Sequence, residues 1–188
     1  MRIGVLAMQG AFIEHIAILR HLKVDALPIR LPTELTGLDG LIIPGGESTS
    51  IGKLMQDYNL MSEIKALGKN GLPIFGTCAG MILLASRTSD SEIKPLGLID
   101  ITVRRNAFGR QQESFEAELS IPALGEKPFP AVFIRAPVIE QANGNVEILA
   151  SLDDGTSVAA RQGKILVSAF HPELTTDLRF HRYFLDIA

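Results

Sequence analysis

The chain has 188 residues, 46% of them hydrophobic, with 18 basic and 21 acidic residues and a formal charge of -3. That is enough apolar material for one domain over 1–188 with a proper core, and no apolar run reaches the roughly 20 residues that a membrane-spanning helix needs. A lone cysteine forms no internal disulfide, no basic block longer than Arg104-Arg105 marks a nucleic-acid partner, and no histidine–cysteine group has zinc spacing. The apolar run after Arg2 is too short for a signal peptide, so a cytoplasmic protein is expected.

In chain order, Ile3 to Ala7 reads as a buried strand closed by Gln9-Gly10. Ala11 to Leu22 then carries Phe12, Ile16, Leu19 and Leu22 at helical spacing. Val24 to Ile29 and Leu38 to Ile43 read as strands, the latter ending at Pro44-Gly45-Gly46. Ser48 is the expected cap of the helical region that follows, which Asn70-Gly71 ends before a strand over Leu72 to Phe75. Near-continuous apolar strands separated by helices point to a parallel sheet covered on both faces.

After Arg87 the rhythm changes. Ile99 to Val103, Phe115 to Leu119, Ala131 to Ile134, Val146 to Leu152 and Val158 to Ala160 are short strand candidates without long helices between them. They either extend the sheet with antiparallel pairs or build a second small sheet. Ile165 to Phe170 returns to the buried-strand pattern, and Asp177 to Ile187 closes the chain as a helix. The expected fold is α/β: a single domain with a mainly parallel central sheet flanked by helices, plus a β-rich antiparallel extension.

Cys78 sits between the strand and an apolar helical run from Ala79, with Gly76 and Gly80 at its flanks. A sharp strand-to-helix turn crowds the positions two residues either side of the nucleophile, which is why such elbows favour glycine there. Taken alone, Cys78 reads equally as an inert buried thiol or as a nucleophile. A helix dipole contributes only about 0.3–1 kcal/mol, less than one pKa unit, whereas pairing with a histidine shifts a thiol by several units. A histidine, if it reaches Cys78, must therefore be the main activator. His171-Pro172-Glu173 offers one, since residues i and i+2 of an extended segment share a side and the carboxylate can orient the ring; the alternative is a strand-end histidine with a satisfied ring and a first-turn helix carboxylate. For an oxyanion hole, the N–H groups of Ala79 and of the Gly45-Gly46 loop, through Gly46, are the candidates.

Pro44-Gly45-Gly46-Glu47-Ser48, Gly76-Thr77-Cys78-Ala79-Gly80 and Phe170-His171-Pro172-Glu173 together resemble the triad glutamine amidotransferases of class I, whose sheet is flavodoxin-like. Gln9-Gly10 with Glu14-His15, Arg105-Asn106 with Phe108-Gly109-Arg110-Gln111, Ser114-Phe115-Glu116 and Phe133-Ile134-Arg135-Ala136-Pro137 are similar to one branch, the glutaminase subunits of pyridoxal 5'-phosphate synthase. No triad position departs from that pattern; Ser50 stands where a threonine is common.

The resemblance implies hydrolysis of L-glutamine to glutamate and ammonia through a γ-glutamyl thioester on Cys78, with no cofactor and no metal. It implies a glutamine site lined by Gly46, Glu47, Ser48, Arg105, Ile134 and Arg135, either arginine being able to take the α-carboxylate. It also implies a barrel-shaped synthase subunit that receives the ammonia through a channel and docks to switch on the glutaminase, in a hetero-oligomer away from membranes and nucleic acids. Around Gln9, Glu14 and His15, the first helix is either that docking surface or an ordinary solvated helix start. The competing readings are another cysteine hydrolase of the same fold (a γ-glutamyl hydrolase or a peptidase) and a non-catalytic regulatory subunit. An intact Cys78, His171 and Glu173 argue against the last.

Overall fold

The computed structural model of the chain describes residues 1–89, 94–109 and 113–188. The amino-terminal half alternates as the apolar pattern requires. Strand β1 (Arg2–Leu6), helix α1 (Phe12–His21), β2 (Asp25–Ile29), β3 (Gly40–Ile43), α2 (Ser48–Asp57), α3 (Leu60–Lys69), β4 (Ile74–Thr77) and α4 (Ala79–Leu84) follow in turn. The second half is β-rich: β5 (Ala85–Thr88), β6 (Ile99–Arg104), β7 (Ser114–Leu119), β8 (Phe129–Ile134), β9 (Val138–Ala142), β10 (Glu147–Ser151), β11 (Ser157–Gln162) and β12 (Ile165–Ser168). Helix α5 (Arg179–Ile187) ends the chain.

The main sheet runs β2-β1-β3-β4-β12-β11-β9-β6-β5, with β10 paired to β11. From β2 to β12 every pairing is parallel, and these strands carry the uninterrupted buried runs, Leu41 to Ile43 and Ile165 to Val167 among them. Beyond β12 the pairings of β11, β9 and β6 are antiparallel. Both arrangements left open by the sequence are present, because β7 and β8 form a separate two-stranded ribbon. A chain of aromatic contacts ties that ribbon to the domain: Phe115 stacks on Phe133 at 4.5 Å, Phe133 meets Phe170, and Phe170 meets Phe180 of α5.

Several expected boundaries move. Glu47, not Ser48, caps α2, accepting hydrogen bonds from the backbone N–H groups of Thr49 and Ser50. Its longer side chain reaches the N2 and N3 positions that Ser48, already inside the first turn, cannot serve. The helical region before Asn70 is two helices, broken where Asn59 takes a left-handed conformation at φ 59°. Strands β5 and β9 were not legible: β5 continues directly out of the apolar run of α4, and β9 follows Pro137 with a half-exposed pattern. The strand expected to reach Phe170 ends at Ser168, and α5 begins at Arg179 rather than Asp177. The motif residues Arg110 and Gln111 lie outside the described residues. Among the described residues, no helix is long and apolar enough to cross a membrane.

Candidate active site

Parallel pairing of β4 with β12 brings Thr77 beside Ser168, so the two chain segments leave the sheet at the same carboxyl edge. Cys78 follows at once and its N–H donates to the Ser168 carbonyl at 2.7 Å. Its backbone sits at φ 49°, ψ -101°, a strained conformation for a residue with a Cβ. The flanking glycines are required by contact. A Cβ on Gly80 would lie 2.0 Å from the Ile43 carbonyl oxygen, and one on Gly76 would lie 2.6 Å from the backbone of Gly80. The elbow thus closes only against bare backbone.

His171 leaves β12 in the same direction, its N–H bonded to the Val132 carbonyl of β8 at 2.8 Å. The ribbon therefore fixes the histidine's backbone. The ring's Nδ1–H donates to Glu173 Oε1 at 2.6 Å, and both residues are buried. Burial by itself would push the imidazole pKa down. The neighbouring Cys78 thiol and the hydrogen-bonded Glu173 carboxylate outweigh burial and hold it up at about 10. The site at rest thus favours the imidazolium. Gly45 packs on this pair: a Cβ there would meet His171 Cε1 at 2.4 Å and Cys78 Cβ at 3.4 Å.

The loop after β3 completes the site. Gly10 backs onto it so closely that a Cβ would fall 1.8 Å from the Gly45 oxygen, and the Ala11 N–H donates to that oxygen at 3.0 Å. In a trans peptide the Gly46 N–H then points away from Ala11. Gln9 Oε1 accepts from the Glu47 N–H at 2.8 Å. Partial burial would raise the Glu47 carboxyl, but hydrogen bonds from Ser50 and Thr49 outweigh it and hold its pKa at about 2. Arg105 reaches both Glu47 and Thr49 at 3.4 Å.

A cavity of about 240 Å³ opens at this edge. Of the residues singled out in the sequence, Gly46, Glu47, Ser48, Cys78, Ala79, Arg105, Ile134, Arg135 and His171 all line it, and Glu173 stands behind His171. Three further residues line it that the sequence reading did not place there: Gln9, Ile82 and Asn106. Gln9 had a signal, since it follows β1 at the same carboxyl edge as the other site loops. Arg135 takes a left-handed backbone (φ 43°), its N–H bound to the Glu113 carbonyl. His15 contradicts both readings offered for it: it is 0% exposed, and so belongs neither to a docking surface nor to a solvated helix start. Its helix turns that face onto Thr77 and Glu173. Among the described residues, no group of three or more His, Cys, Asp or Glu side chains is arranged to hold a metal ion.

The parallel half-sheet with a cysteine elbow and a facing histidine defines a protein of the class I glutamine amidotransferase type. The model of the SNO glutamine amidotransferase family matches residues 5–188, and the chain belongs to that family. It is 58% identical over 190 residues to the pyridoxal 5'-phosphate synthase subunit PdxT of Herpetosiphon aurantiacus, covering 100% of both chains. It is likewise 58% identical to the subunit of that name from Pelotomaculum thermopropionicum, covering 99% of this chain and 94% of that one. A solved crystal structure of a glutamine amidotransferase superposes with a TM-score of 0.94 at 48% identity, over 100% of this chain and 98% of the other.

Proposed function

We propose that Cys78, His171 and Glu173 hydrolyse the side-chain amide of L-glutamine, and that the ammonia passes to a synthase subunit. The chain is a glutaminase subunit of a pyridoxal 5'-phosphate synthase, in line with its family and its full-length relatives. The observation that carries the catalytic assignment is the convergence of a strained cysteine, an imidazole held up by a buried carboxylate, and two arginines on one cavity.

In this reading Cys78 Sγ attacks the amide carbon, and His171 gives its proton to the departing ammonia. A water then attacks the γ-glutamyl thioester as His171 takes its proton, and glutamate leaves. Glu173 keeps the ring oriented and stabilises its cationic form. The N–H groups of Ala79 and Gly46 hold the oxyanion. Glu47 and Ser48 with Ile134 line the substrate's side of the cavity. Arg105 is already engaged with Glu47, whereas Arg135 has no carboxylate partner among the described residues. That leaves Arg135 free for the substrate α-carboxylate. Because the Gly45 carbonyl is tied to Ala11 at the start of α1, rotation of that peptide is coupled to α1, which gives a docking synthase a handle on the oxyanion hole. The partner in this reading is a barrel-shaped synthase fed with ammonia through a channel, and this chain works with it in the cytoplasm.

The test is glutamate release from L-glutamine with and without the synthase subunit. The expected result is slow turnover by the chain alone, stimulation by the synthase, and no turnover in Cys78→Ala. Turnover persisting in a clean Cys78→Ala preparation would sink the triad assignment. Full activity without a partner would sink the switch.

A further inference from the structure

Behind the triad lies a buried run of polar side chains for which the mechanism above has no use. Glu173 spends Oε1 on His171, while its Oε2 is buried and has no hydrogen-bond partner. A carboxylate oxygen left bare in an interior is costly, so a donor within reach needs an account. His15 Nε2 of α1 hydrogen-bonds Thr77 Oγ1 at 3.3 Å and lies 3.4 Å from that Glu173 oxygen, beside it but outside hydrogen-bond geometry. On its other side, His15 Nδ1 lies 2.9 Å from Nε2 of His181 on α5. Both histidines are 0% exposed, and both meet the edge or face of Phe75.

Two tautomer patterns fit the contact between the histidines. In one, His15 carries its proton on Nε2, directed at Thr77 Oγ1 with Glu173 Oε2 alongside, and His15 Nδ1 accepts from His181 Nε2–H. His181 Nδ1 is then a bare lone pair, in keeping with its lack of a partner. In the other, His15 turns a lone pair toward the carboxylate, and His181 Nδ1–H becomes a buried donor with no acceptor. The first arrangement sets a polarised N–H beside the carboxylate oxygen and strands no proton, so it is preferred.

We propose that His15, set in its tautomer by His181, is a positioning residue that holds the free oxygen of Glu173 and thereby aims His171 at Cys78. Burial, then the neighbouring His181 and His171, keep the His15 pKa well below the ordinary histidine value, so it acts as a neutral donor. Neutrality matters. A cation there would compete with His171 for the carboxylate, whereas a neutral N–H fixes the carboxylate and leaves its charge to the catalytic ring. The inference rests on the triad reading given above.

The test compares His15→Leu, His15→Gln and His181→Leu with the parent chain, assayed for glutaminase in complex with the synthase. Alkylation of Cys78 by iodoacetamide is measured in parallel on the isolated chain. Losing the polar neighbour of a buried carboxylate oxygen predicts a fall of about 10-fold in kcat for His15→Leu, with KM kept within about 2-fold. Cys78 alkylation at neutral pH should slow alongside. His15→Gln, whose amide can still donate toward Glu173, should recover most of both rates, and His181→Leu should show a smaller loss. Parent rates in His15→Leu, or equal losses in Gln and Leu variants that fold equally well, would overturn the proposal. If His15→Leu does not fold, His181→Leu decides: slowed alkylation at an unchanged melting temperature supports it, and parent alkylation refutes it. Cys78→Ala in the same series separates the two ideas. Activity persisting there removes the triad itself, whereas loss there with rates insensitive to His15 removes only this inference.

Discussion

At Cys78 the backbone carries the strain and the neighbouring glycines permit it. Gly80 is the tighter of the two, pressed against the Ile43 carbonyl, which is rigid strand backbone and cannot move aside as a side chain would. A methyl group there must displace β3 or open the elbow. Gly80→Ala is therefore expected to lower stability by about 2 kcal/mol or more, the upper range of overpacking, and to abolish glutaminase activity in whatever folds. Urea unfolding followed by circular dichroism, beside the glutamate assay, reads both effects. A stable and fully active Gly80→Ala would show that the elbow has slack that the contacts deny. Gly71 and Gly163, with nothing near a Cβ, have no packing reason of this kind.

At the scale of elements, the site is held by three attachments. Parallel register between β4 and β12 puts Cys78 and His171 at one edge, the ribbon fixes His171 through Val132, and α1 supports the glycine loop through Ala11. The ribbon is itself anchored by Arg179 at the start of α5. Its guanidinium donates to the carbonyls of Lys127 at 2.7 Å and Pro128 at 2.8 Å, and to Asp177 at 2.6 Å. Removing it leaves main-chain acceptors at the base of β8 without their donor and loosens the element that holds His171. Arg179→Ala is expected to cost about 2 kcal/mol in unfolding free energy. Activity measured well below the melting temperature should fall less than it does in His15→Leu. If chemical denaturation shows no loss, the clamp is solvated and the ribbon stands on its aromatic contacts alone.

For the molecule as a whole, the buried histidines give stability a predictable pH profile. His181 is pushed down to about 4 by burial, and His15, which faces His181, Thr77 and Glu173, is also lowered. Both bind protons more readily when unfolded, so stability falls as pH drops from about 6.5 toward 4. For His181 the effect is on the order of 3 kcal/mol. Glu47, held at about 2, adds a loss that begins only below its unfolded value and runs toward pH 2. His171 works in the opposite sense: its pKa is raised to about 10, so its contribution is complete below 6.5 and fades as pH climbs to 10. The expected curve is a dome around neutrality, measurable as urea midpoints from pH 4 to 10. His181→Leu should flatten its acid side, and an unchanged acid limb in that variant would refute the assignment.

The motifs' resemblance to a family pointed to the substrate side of the cavity, whereas the sequence by itself determined the alternation of buried strands and helices, the elbow at Cys78 and the His171-Pro172-Glu173 segment. Each of these is local: a hydrophobic run, a glycine forced by a turn, or a spacing of two in an extended segment. The tertiary structure decided what depends on partners distant in the chain. Helix α1 carries charged and apolar residues in an order that reads as a solvated helix start, and only its packing against Glu173 and α5 turns His15 inward. Strand β9 has a half-exposed pattern that becomes a strand only because β6 and β11 offer it hydrogen bonds on either side. Gln9 joined the site for the same reason, since the carboxyl edge of β1 meets that of β3 only once the sheet is assembled.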